Sequence, residues 1–97
     1  MYKVLIVEDM DLTREDLISL IDWERYGFEL LPDARNGKIG LEYAKRYRPD
    51  IVITDIKMPV MTGLDLVEQM KKENIEAEVI LPVSYTHLRA HETAANL

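Results

Sequence analysis

Two apolar runs in this chain end on acids. Val4-Leu5-Ile6-Val7 passes directly into Glu8 and Asp9, with Asp11 two residues on, and Ile51-Val-Ile-Thr54 passes into Asp55. Ending a buried run on carboxylates is costly unless the charge finds a partner. Such acids can hold a metal, one of them can act as a nucleophile, or they can simply begin the next helix. Two carboxylates roughly 4 Å apart repel by about 4 kcal/mol at an effective dielectric near 20. A hard divalent cation reverses that sign, and an all-oxygen site with few protein ligands suits Mg²⁺.

The elements around them form one repeating pattern. Tyr2 to Val7, Phe28 to Ala34, Asp50 to Asp55 and Glu78 to Leu81 read as strands, the second interrupted by Pro32. Between them lie three helical segments. In the first, Leu12, Leu17, Leu20, Ile21 and Trp23 share one side, and Asp11 is its expected cap. The second carries Ile39 to Tyr47 after the Asn36-Gly37 turn and stops at Arg48-Pro49. The third opens on a Thr62/Asp65 capping box, with Leu64, Val67 and Met70 on its apolar face. The order βαβαβαβ implies an α/β fold: a doubly wound parallel sheet with right-handed crossovers and helices on both faces. In the strand order 2-1-3-4 the first and third strands are neighbours, and ligands bind beyond their carboxyl ends. Glu8, Asp9 and Asp55 should then meet in one crevice.

Composition narrows the function classes. The chain has 97 residues, a hydrophobic share of 47%, a charged share of 31%, a net charge of −6 and no cysteine. That describes a small soluble domain without disulfides or thiolate metal sites. The acidic balance argues against nucleic-acid binding by this fragment. The apolar runs are too short for a membrane span and no secretory h-region is visible, so a cytoplasmic protein is expected.

The set Val-Glu8-Asp9, Ile-Val-Ile-Thr-Asp55, Lys57-Met58-Pro59 and Gly63-Leu64 closely resembles the receiver domain of bacterial two-component response regulators. The likeness runs through the four strands and implies a flavodoxin-like receiver fold, truncated after the fourth. It also implies that Asp55 accepts a phosphoryl group from a sensor histidine kinase or phosphotransfer protein. Asp9 would bind Mg²⁺ directly and Glu8 through water, with Asp55 and the backbone carbonyl of Lys57 as further ligands. The Lys57 side chain would flank the phosphoryl group, and Gly63 would let the backbone turn into the third helix. Ile21-Asp-Trp-Glu-Arg-Tyr-Gly-Phe28 is similar to receivers of regulators with an AraC-type DNA-binding domain. On that likeness the full-length protein is a transcription factor, able to dimerise.

Two other readings fit parts of the chain. Asp9-Met-Asp11-Leu-Thr13 matches the D-x-D-x-T signature of haloacid-dehalogenase-type phosphatases, with Asp9 as nucleophile and Asp11 as general acid/base. It leaves Glu8 and the Asp55-Lys57-Met58-Pro59 block unexplained. A pseudo-receiver, serving only as an interaction module, is disfavoured by the intact acids.

After Leu81 the receiver pattern breaks. Pro82 stands where a Ser or Thr is expected, Ser84 comes too late, and no fifth strand with its Lys follows. His87 and His91 have an i, i+4 spacing that can hold zinc on a helix. The stretch VSYTHLRAHET, however, back-translates to a string similar to the adapter of a transposase-based sequencing library. Residues 1–82 are therefore expected to be a partial receiver domain and residues 83–97 a non-native tail.

Overall fold

A computed structural model describes residues 1–81. Strand β1 (Tyr2–Val7) leads to helix α1 (Asp11–Leu20), a 3₁₀ turn (Glu24–Tyr26) and strand β2 (Phe28–Leu30). Helix α2 (Gly37–Tyr47), strand β3 (Ile51–Thr54), helix α3 (Gly63–Lys72) and strand β4 (Glu78–Ile80) follow. The strands form one parallel sheet in the order β2-β1-β3-β4. The expectation of a 2-1-3-4 doubly wound sheet is met. Expectations concerning Ser84, His87, His91 and residues 83–97 lie outside the described residues.

Burial explains why β1 is an unbroken apolar run. Val4, Leu5, Ile6 and Val7 are at most 1% exposed, so both faces of this central strand are covered. Leu5 and Val7, with Val52 of β3, face Ala44 of α2 and Leu66 and Met70 of α3. Val4, Ile6 and Ile53 face the other way, against Leu17 and Ile18 of α1 and Trp23. Two helices thus cover one face and α1 the other.

Local signals account for the helix ends of α2 and α3. Asn36 Oδ1 accepts the Ile39 N–H at 2.8 Å at the start of α2, and Arg48 closes it in a left-handed conformation (φ 48°) ahead of Pro49. Thr62 and Asp65 make the reciprocal capping box. Lys45, Arg46, Lys71 and Lys72 occupy the last turns, where the helix dipole favours cations.

Helix α1 departs from expectation. Its N-cap is Met10, with no side-chain hydrogen bond, and Asp11 is the first helical residue, its carboxylate turned to Arg14 instead of to the backbone. Leu12 and Leu20 are 74% and 80% exposed, and the helix ends before Ile21. Trp23 lies beyond it, buried by a hydrogen bond from Nε1 to the Ile18 carbonyl and an edge contact with Phe28. In α3, Leu66 is buried where Leu64 was expected, because it meets α2 across Gly40. Strand β2 is also shorter, and the chain returns to β1 only at an isolated bridge between Val7 and Ala34.

Candidate functional site

The register of β1 on β3 builds the site. Val7 pairs with Thr54, and the Asp55 N–H donates to the Val7 carbonyl at 3.3 Å. The next residues on each strand, Glu8 and Asp55, therefore emerge side by side at the carboxyl edge of the sheet. A slip of one residue would turn their neighbours to the wrong faces. Glu8, Asp9 and Asp55 each offer an oxygen within 4.8 Å of the others, a grouping expected from the sequence.

Glu8 and Asp55 are held differently. Glu8 is buried, and its Oε2 accepts the Met10 N–H at 3.3 Å. Burial, then the adjacent Asp9 carboxyl and the charge of Asp55, push the Glu8 carboxyl from an ordinary 4.5 up to about 7, with the Met10 hydrogen bond opposing. Asp55 Oδ1 accepts its neighbour's N–H, from Ile56, at 2.8 Å, which fixes the carboxylate's rotamer. Asp55 Oδ2 makes no hydrogen bond among the described residues. A compact all-oxygen donor set whose buried member resists ionising on its own fits a hard divalent cation such as Mg²⁺.

The loop after β3 is fastened from below. Met58 is buried under Thr54, while Lys57 is exposed at the rim. Gly63 packs so closely on the Asp55 carbonyl that any Cβ there would collide with it, and its N–H donates to the Ile56 carbonyl at 2.9 Å. Gly37 leaves similar room for Met61, so the same loop also rests on the start of α2. Val60, at the exposed tip, sits at φ 72°, a left-handed conformation that costs a β-branched residue about 1–3 kcal/mol.

Asp11 takes no part in the carboxylate cluster. It is 77% exposed at its side chain and paired with Arg14 at 2.6 Å, so the D-x-D-x-T spelling does not correspond to a shared site. Sequence reasoning gave Arg14 no role, since it falls largely opposite the apolar residues of α1. Its guanidinium also reaches the Glu8 carbonyl and Asp33.

Comparison with known proteins follows the same lines. The family model for the response regulator receiver domain matches residues 4–97. The transcriptional regulatory protein HptR of Staphylococcus aureus is 35% identical over 85 residues, covering 88% of this chain and 33% of that protein. The transcriptional regulatory protein YesN of Bacillus subtilis is 35% identical over 81 residues, covering 84% of this chain and 22% of that protein. The chain thus spans a third or less of the length of these curated relatives. Among solved structures, the REC domain of AraT, a response regulator from Geobacillus stearothermophilus, is similar with a TM-score of 0.81 and 30% identity. That likeness covers 98% of this chain and 74% of that one. A two component transcriptional regulator AraC from Clostridium phytofermentans follows at a TM-score of 0.77 and 31% identity, covering 93% and 72%.

Proposed function

The chain belongs to the receiver domains of two-component response regulators, and from that membership we propose that Asp55 is its phosphoacceptor, served by a metal site at Glu8 and Asp9. The observation that carries this reading is the convergence of the three carboxylates at the ends of adjacent strands.

Asp55 Oδ2 is the nucleophile. It forms a bond to phosphorus as the P–N bond of the kinase phosphohistidine breaks, and the electron pair stays on the imidazole nitrogen. A carboxylate is a weak nucleophile, so the step depends on position and on neutralising charge. The Ile56 N–H fixes the carboxylate through Oδ1. Asp9, Glu8 and Asp55, with the Lys57 backbone carbonyl, are the groups that would hold Mg²⁺. Mg²⁺ bound there supplies positive charge to the phosphoryl oxygens and offsets the repulsion among the acids. The exposed Lys57 side chain borders the phosphoryl group and influences its lifetime.

In the full-length protein the receiver controls transcription through a DNA-binding domain, a reading supported by relatives described as transcriptional regulators. The partner is a sensor histidine kinase or phosphotransfer protein in the cytoplasm. Among the described residues no helix is long and apolar enough to cross a membrane. Although the family match runs to residue 97, the break in the receiver pattern after Leu81 supports assigning residues 1–82 to the receiver portion and residues 83–97 to a tail foreign to it.

The test is incubation with a small acyl phosphate and Mg²⁺, followed by intact-mass measurement. The native chain should gain one phosphoryl group and Asp55→Asn should gain none. Equal uptake by both would remove Asp55 from the reaction.

A further inference from the structure

Arg14 has no role in the step above, yet it ties together more of the site's surroundings than any other side chain there. It lies one turn into α1, and its side chain is only 15% exposed. Nη1 donates to the backbone carbonyl of Glu8 at 2.9 Å, and Nη2 pairs with Asp11 Oδ1 at 2.6 Å. Nε pairs with Asp33 Oδ2 at 2.7 Å, on the loop that follows β2. The end of β1, the start of α1 and the β2–α2 loop are thereby joined at one planar group.

The carbonyl that Arg14 grips belongs to the peptide linking Glu8 to Asp9. The N–H of Glu8 is held in turn by the Ala34 carbonyl at 2.9 Å, from that same β2–α2 loop. Backbone groups on both sides of the Glu8 Cα are therefore fixed to one loop, directly through Ala34 and through Arg14 to Asp33. Met10, the next residue, has no capping side chain to settle the turn by other means. The geometry points to Arg14 as a positioning residue that sets the affinity of the acidic site for a divalent cation by fixing the Glu8–Asp9 peptide. This inference rests on the reading of Glu8, Asp9 and Asp55 as metal-holding acids.

Charge and geometry predict opposite outcomes. A cation beside a metal site repels the metal, so deleting a residue that acted only through its charge would tighten binding. Asp11 and Asp33 already neutralise the guanidinium, which leaves its fixed fork of donors as the functional feature. Lysine keeps the charge but cannot bond in three directions from one plane.

The experiment is a Mn²⁺ titration of the purified chain, read by the electron paramagnetic resonance of the free ion, with thermal unfolding in chelator as a check on the fold. Arg14→Ala and Arg14→Lys should each weaken Mn²⁺ binding by about tenfold, as outer partners of metal ligands commonly do. Asp33→Ala, on a partly exposed loop position, should weaken it by less and carries the test if the Arg14 variants do not fold. Asp9→Asn is the control. If Asp9→Asn loses Mn²⁺ while the Arg14 and Asp33 variants bind as the native chain does, the clamp is overturned and the metal site stands. Tighter binding by Arg14→Ala overturns the clamp as well. If Asp9→Asn binds like the native chain, the metal reading fails and the clamp fails with it.

Discussion

Gly63 stands against the backbone of Asp55, and the obstacle to a side chain there is a carbonyl group with no freedom to step aside. Its φ is not in the left-handed region, unlike that of Gly27, so backbone freedom is not what position 63 requires. Room is what it requires. Gly63→Ala should push α3 away from the phosphoacceptor strand and destabilise the domain by about 1–3 kcal/mol, measured by urea denaturation. Phosphoryl uptake from an acyl phosphate should fall with it, because the group the new side chain meets is the carbonyl of Asp55 itself. A Gly in this motif was legible in the sequence, but its reason was not: close approach between residues 55 and 63 exists only once β3 and α3 are packed.

At the scale of elements, two helices were readable and one was misread. Asn36 and Thr62 act within three residues of themselves, so α2 and α3 announce their starts locally. Thr62→Ala should remove the capping box and cost about 1 kcal/mol in the urea midpoint analysis, with the strands unchanged by circular dichroism. Helix α1 has no such cap, and its apolar residues do not share a single buried stripe. Leu17 and Ile18 touch the sheet, Leu12 and Leu20 do not, and Trp23 reaches the core from outside the helix. The choice of Leu66 over Leu64 in α3 has the same origin. Both fit a helical period, and only the close approach of α2 through Gly40 decides between them.

For the molecule as a whole, the site and the stability of the fold are coupled through Glu8. Packing buries this carboxyl beside two others and raises it to about 7 from 4.5, so the folded state holds a proton that the unfolded chain has already lost between those values. Stability from this group is full below about pH 4.5 and is lost as pH rises toward 7. In chelator, unfolding should therefore become easier by about 1–3 kcal/mol across that window. Glu8→Gln should flatten the dependence. Added Mg²⁺ should restore stability at neutral pH and do little near pH 4.5, where Glu8 keeps its proton. A metal-independent pH profile would contradict the coupling.

The sequence by itself determined the strand order, the convergence of Glu8, Asp9 and Asp55, and the capping box that opens α3. These follow from patterns of period and from acids placed at the ends of apolar runs, which depend on neighbours in the chain. Tertiary structure alone decided the burial of Glu8, the clearance at Gly63, the exposed side of α1 and the turning of Arg14 toward the acidic site. Each of those depends on distances between residues far apart in sequence, and an arginine on the polar side of a helix looks solvated until a loop 19 residues later closes over it with Asp33.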